Sequence, residues 1–336
     1  MKIGVILDSR ANANELAELG RLAEKNGLGS IWTSSLLDSR DPFINFSIAA
    51  ANTEKIRLGP IAVNPYDIHP VRITTSLLTL NEMCQGRAHI VIGGGGEALE
   101  ALGIEPKRRV GAVKECVQII KGASPDTPLN YQGSLYQVKG YHPFWVEADA
   151  PKVYVGANMP QMLTMSAREA DGIMLSDLTP PLIREAIQTA QQGLATRAVP
   201  KEDFGFNNFF AWHVYQDKDE GVKEARQWLA LRGLFRRWVI TTFLSDQDYD
   251  LIESKFSAFF NALAQRTHVI EGVPDRILDQ LVDNLTFTGH VSDIDHVIDR
   301  LQEFKAAGLT EIALRLYQKP AESIRLIGAK VVPALA

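Results

Sequence analysis

The sequence predicts an α/β fold and, within that class, a (β/α)₈ TIM barrel. Three observations carry this. Short, nearly continuous apolar runs alternate with amphipathic helical stretches from residue 3 to the end, and eight such runs occur. One repeat of the unit is complete within residues 58–96. There an apolar run ends at Asn64-Pro65, and a helical pattern with Ile73, Leu77, Leu80 and Met83 follows. Gln85-Gly86-Arg87 then breaks the helix before a second apolar run, 88–92. Strand, crossover helix and strand force a parallel pairing. Strands apolar along their whole length are those covered on both faces. The third observation is that polar and glycine-rich residues follow the strands, where barrels place their chemistry. An open doubly wound sheet shares the local alternation; the count of eight favours the barrel.

In order, residues 3–7 form the first strand. A helix over 14–26 follows, with Leu16, Leu19, Leu22 and Ala23 on one face, and Gly27 stops it. The second strand is 30–33, and Asp41-Pro42 opens a helix over 43–52 with proline in its first turn. Strands three and four are 56–63 and 88–92. Helices over 97–102 and 108–121 lead into 122–150, rich in proline, glycine and aromatic residues, where an extended pair is expected at 135–138 and 144–146. Strand five, 152–155, ends in Gly156-Ala157-Asn158 with a helix over 160–170 behind it. Strand six is 173–175, a helix covers 181–194, and strand seven is 209–214. Residues 219–285 read as helical without a strand. The chain is therefore expected to be one domain, 1–336, with a helical insertion there that covers the mouth or meets a second subunit. Its aromatic and arginine residues, Trp228, Phe235, Arg236, Arg237 and Trp238, fit either use, and an insertion core with a solvated arginine edge is the plainer reading. Ser292 is placed to cap the next helix, to about 307, with Asp293 and Asp295 in its first turn. Strand eight is 311–316, and a last helix spans 320–335.

The 336 residues are 46% hydrophobic, enough for a large core, and the formal charge of −5 argues against a nucleic-acid partner. No apolar run approaches the ~20 residues of a membrane span. The opening MKIGVILDSR has no signal-peptide architecture, and Cys84 and Cys116 lie in helical patterns as buried free thiols. The expected location is the cytoplasm.

Gly93–Gly96 after a buried strand allow unusual dihedrals and close approach to a flat ligand; a tight barrel turn is the plain alternative. The run matches neither GxGxxG nor a P-loop. Gly156-Ala157-Asn158 ahead of a helix can present backbone N–H groups to phosphate, or can simply turn the chain. The seven histidines are scattered, no HExxH or GxSxG occurs, and no metal site is expected. Asp8, Asp38 and Asp41 lie where they could converge at the barrel top. With little support for chemistry led by side chains, a borrowed cofactor becomes attractive by elimination.

Five stretches carry a resemblance: KIGV at 2–5, IRLGPIAVNPYDIHP at 56–70, LTLNEMCQGRAHIVIGGG at 78–95, PKVYVGANMPQMLTMSAREADGIMLS at 151–176, and the terminus over 292–316 and 322–332. Through them the chain resembles the bacterial luciferase-like flavin and deazaflavin superfamily, most nearly the coenzyme F420-dependent oxidoreductases of the methylenetetrahydromethanopterin reductase type. The resemblance implies a barrel, often dimeric, with deazaflavin at its carboxyl-terminal mouth. It implies a non-prolyl cis peptide in the third strand, expected here as Ala62–Val63, and Asn64 facing the ring or its side chain. Gly93 and Gly94 would line the cofactor tail, Gly156 and Ala157 would receive the phosphate, and Ser176 would assist. The family's glutamate at the end of strand one is replaced by Ile6, and its polar pair after strand two by the segment 33–38. The pterin substrate is therefore not carried over.

The expected reaction is hydride transfer between C5 of F420 and a small or medium organic substrate, with Asp38, Ser35 and His69 as polar candidates near the ring. An FMN-dependent monooxygenase fed by a flavin reductase is the competing expectation, and a barrel without catalysis the third. A homodimer built on the helices near 43–52 and 71–83 is also expected.

Overall fold

The computed structural model describes residues 1–336, apart from the side chains at positions 97 and 98. Its strands are β1 (Lys2–Leu7), β2 (Ser30–Ser34), β3 (Arg57–Ile61), β4 (His89–Ile92), β5 (Leu129–Gln132), β6 (Gln137–Tyr141), β7 (Lys152–Gly156), β8 (Gly172–Ser176), β9 (Gly205–Tyr215), β10 (Thr286–His290) and β11 (Glu311–Arg315). Eight run parallel in the order β3-β2-β1-β11-β9-β8-β7-β4. Bridges Leu58–Ala88 and Val63–Ile92 bring β4 back to β3, so the barrel is nearly closed. Helices cover its outside. The first, Ala13–Lys25, starts with a reciprocal cap: Asn12 Oδ1 accepts from the Glu15 N–H, and Glu15 accepts from the Asn12 N–H. No helix among the described residues is long and apolar enough to cross a membrane. Cys84 and Cys116 are buried and free.

Several local expectations are corrected. β10 was not expected: TFTGH carries a single large apolar residue, so no apolar run marks it, yet it pairs with the second half of the long β9. The antiparallel hairpin is β5–β6, not 135–138 with 144–146, because the turn falls at Gly133, whose N–H donates to Tyr136 O. The helix expected over 43–52 is split at Phe46 into Pro42–Asn45 and Ser47–Ala51. Ser292 does not cap its helix. The His290 ring nitrogen Nδ1 accepts from the Ser292 N–H instead, ahead of a 3₁₀ turn.

Two apolar layers form. The larger joins the outer strand faces to the helices. The smaller fills the barrel: Ile6, Trp32, Ile61, Val91, Tyr154, Met174 and Ala313. Within it Trp32 stacks on His89 with ring centroids 3.4 Å apart, and Tyr154 meets both edge-on. Gly59 makes this possible, because a Cβ there would be driven into the His89 carbonyl. At the amino ends of the strands a polar plug closes the barrel. Arg57 pairs with Glu311 at 2.9 Å, Tyr154 Oη donates to Glu311 at 2.9 Å, and Asn207 donates at 3.3 Å.

Gly59→Ala is expected to cost about 1–3 kcal/mol or more through overpacking, read as a lowered denaturant midpoint. Glu311→Ala leaves Arg57 unpaired inside the barrel, and a loss of about 3–5 kcal/mol is expected in the same assay. A midpoint within error of the parent protein in either variant would contradict the packing described.

Candidate active site

At the carboxyl ends of the strands lies a cleft of 440 Å³. Ile61, Val91, Met174 and Phe209 give it apolar walls, and Ser34, Ser35, Asn64 and Ser176 give it polar ones. Backbone at Ala62, Gly93–Gly96 and Gly156 completes it. The strand alternation accounts for the mixture: inward apolar residues from β3, β4, β8 and β9 form the base, and polar residues just past the strand ends stand above them.

The structure thus brings together Ser35, Ala62, Asn64, Gly93, Gly94, Gly156 and Ser176 in one cleft. The Ser35 N–H donates to Ile61 O at 3.0 Å, which fixes the chain after β2 against β3. Asn64 is buried, and its Oδ1 accepts from the N–H groups of Tyr66 and Asp67, an Asx turn. Ser176 is held by Asn158: its N–H donates to Asn158 Oδ1 at 3.1 Å, and Asn158 Nδ2 donates to Ser176 O. The non-prolyl cis bond is Ile61–Ala62, one bond earlier than expected. Val63 is already committed to the sheet, donating to Val91 O at 2.9 Å and accepting from Gly93 N.

Four expected site residues are not among the cleft's lining. Val63 and Ala157 are buried behind it, Ala157 donating to Met174 O. Asp38 is exposed in the turn that Leu36 and Ser39 close. His69 caps the helix Pro70–Met83, its Nδ1 accepting from the Val71 N–H, and its ring meets Tyr136 edge-on.

The other half of the mouth is filled by residues not expected as site residues, although Trp228 and Arg236 belong to the segment expected to cover the mouth or meet a second subunit. Trp228 packs on Tyr317 with centroids 4.6 Å apart, and Tyr317 in turn stacks on His213. Arg232 pairs with Asp177 at 3.1 Å and lies over the Phe209 ring. Arg236 Nη1 donates to Ser176 O at 2.6 Å. Arg315 donates to Leu7 O and lies over Tyr317. Burial pushes the Tyr317 phenol up, so it stays protonated, and lowers the guanidinium pKa of Arg236 and of Arg315. Trp228, Arg232 and Arg236 are spaced by four, but no continuous helix carries them. Gly233, at φ +54°, turns the segment between the two arginines, and a Cβ there would come within 3.3 Å of Asp177 Cβ. Spacing alone could not reveal that contact.

The cleft thus has apolar walls with hydroxyl, amide and backbone groups at its edge. Comparison with known proteins gives relatives for the chain. The 5,10-methylenetetrahydromethanopterin reductase of Archaeoglobus fulgidus is 27% identical over 340 residues, covering 100% of both chains. An F420-dependent glucose-6-phosphate dehydrogenase of Microbacterium testaceum is 28% identical over 238 residues, 65% of this chain and 69% of its own. The solved coenzyme F420-dependent tetrahydromethanopterin reductase of Methanopyrus kandleri superposes with a TM-score of 0.80 at 20% identity, covering 100% of this chain and 99% of that one. The family model for luciferase-like monooxygenases matches residues 1–311, which extends from β1 into the first residue of β11, and the chain belongs to that family.

Proposed function

We propose that the protein is an F420-dependent oxidoreductase acting on a small or medium organic substrate. The observation that carries this is the cleft itself, in a chain similar over its full length to a reductase of the F420-using type. The deazaflavin ring would rest on the apolar walls, against the backbone of Ala62 and beside Asn64. Gly93 and Gly94 would flank its tail, with Gly156 and the neighbouring Ala157 backbone at the phosphate. When bound there, the group supplies a hydride donor or acceptor at C5. The chain's own part is orientation and exclusion of water. Ser35 lies in the cleft and is the side chain best placed to hydrogen-bond a reacting oxygen or nitrogen. Asp38 and His69 are given no step, since neither lines the cleft. Ile44, 73% exposed, and the half-exposed Met83 lie on or beside the helices expected to meet a second copy, and a homodimer is part of this reading.

Side-by-side titration with F420 and FMN tests the cofactor. Micromolar F420 binding is expected, with FMN much weaker; the reverse order would favour a monooxygenase drawing reduced flavin from a partner reductase. Gly156→Leu sharpens the test. A Cβ at 156 would meet only Val91 Cγ1 and Ile92 O within 4 Å, so a longer side chain grows into the cleft. F420 affinity should fall at least ~10-fold, about 1.4 kcal/mol, with the melting temperature little changed; unaltered affinity would remove Gly156 from the cofactor site. For the dimer, light scattering should give twice the chain mass of 37.2 kDa, and Ile44→Lys should shift it toward one. A parent protein that stays monomeric across concentrations would end that part of the reading.

A further inference from the structure

We propose that Arg236 is an anion-binding residue at the rim of the cleft, and that the substrate carries a carboxylate or phosphate group that its guanidinium takes. This rests on the oxidoreductase reading above and deepens it by naming a substrate class.

Arg236 reaches the cleft through Ser176, which lines it. Nη1 donates to Ser176 O at 2.6 Å, and Nη2 lies 3.5 Å from Ser176 Oγ. No carboxylate among the described residues lies within 4 Å of it. The nearest acid in the cluster, Asp177, is already engaged by Arg232 at 3.1 Å and by the Ser176 hydroxyl at 3.0 Å. Arg232 and Arg236 therefore face Asp177 alone, which leaves a net positive charge beside the apolar walls. The adjacent Arg237, by contrast, pairs with Asp246 and Asp250. Arg236 is half-buried, so it has given up much of its water without gaining a counter-ion. Such a cation is costly until an anion arrives.

The local backbone holds it there. Gly233 allows the turn that sets Arg232 and Arg236 over the same strand end, with Asp177 directly beneath. A guanidinium carries five donors in a planar fork, and Ser176 takes only part of them. The remaining edge matches the two oxygens of a carboxylate or phosphate. The Phe209 ring, under Arg232 and in the cleft wall, adds an apolar surface for the rest of such a substrate.

The test is titration of the F420-loaded protein with inorganic phosphate and with acetate, at ionic strength held constant with potassium chloride, followed by deazaflavin fluorescence. The same titration on cofactor-free protein is followed by melting temperature. Saturable binding of at least one anion is expected in the parent protein, weakened at least ~10-fold in Arg236→Gln and partly restored in Arg236→Lys. Arg184→Gln, an exposed arginine on the helix Pro180–Leu194, should titrate as the parent does. The absence of saturable binding in the parent, or equal binding in the parent and both Arg236 variants, would overturn the proposal. F420 and its riboside, which lacks phosphate and tail, separate the two sources of anion. If Arg236→Gln weakens F420 but not the riboside, Arg236 serves the cofactor's phosphate and the proposal fails. If neither deazaflavin binds the parent while the anions do, the cofactor reading fails and the anion site stands.

Discussion

Trp32, His89 and Tyr154 occupy the middle of the barrel, and the position of everything above and below follows from that packed layer. Their rings interlock because glycine stands opposite them. Gly59 admits His89, and Gly172 admits Tyr154, whose ring a Cβ there would strike. Burial holds His89 well below its ordinary pKa, so the layer carries no charge of its own. Below it, Tyr154 turns its hydroxyl to Glu311 and so joins the apolar layer to the Arg57 ion pair. Above it, Ile61, Val91 and Met174 are both the top of this layer and the base of the cleft. A ligand can therefore enter only from the carboxyl ends of the strands, and it meets a rigid apolar surface when it does.

The mouth is divided rather than open all round. Residues at the carboxyl ends of β2, β3, β4, β7 and β8, with Phe209 of β9, bound the cleft, while Trp228, Arg232, Arg315 and Tyr317 cover the other side. The covered half is dense with hydrogen-bonded and stacked groups, including Glu224, which accepts from His213, Tyr215 and the Gln318 N–H. The pairing is incomplete: His213 Nε2, Arg232 Nε and Tyr317 Oη are buried there without a partner. The result is a polar wall facing an apolar one.

Much of this was legible in the chain. The alternation of apolar runs and amphipathic helices located the ring strands, because parallel strands buried on both faces leave nearly uninterrupted apolar segments. The seventh, expected at 209–214, was found only in part, since Asn207 and Asn208 break the run in the half of β9 that joins the ring. The glycine run and the polar residues beside Pro65 pointed to the mouth for the same reason: they follow strand ends. What stayed hidden lacked such a local pattern. β10 is half polar, and its pairing to β9 is set by tertiary contact. The cluster around Asp177 depends on Gly233 folding a segment back across the barrel over 55 residues of sequence separation. His69 was the weakest polar candidate because a histidine before Pro70 can simply cap the following helix, and its ring does so.

The length of β9 has a consequence for how such a protein can change. Its first half, through Ala211, serves β8 and β11 in the ring, and its second half, from Ala211 to Tyr215, serves β10. The segment between Tyr215 and Thr286 thus leaves from one strand and returns to its immediate neighbour, with both ends anchored above the closed ring. Loop-closure entropy grows only slowly with length when the ends are already adjacent. The middle of this stretch, which supplies Trp228, Arg232 and Arg236 to the mouth, is accordingly the part freest to change, because the helices Lys218–Gln227 and Asp275–Leu285 that flank it pack on β9 and β10. It can be lengthened, shortened or exchanged to suit another molecule while the barrel beneath keeps its register.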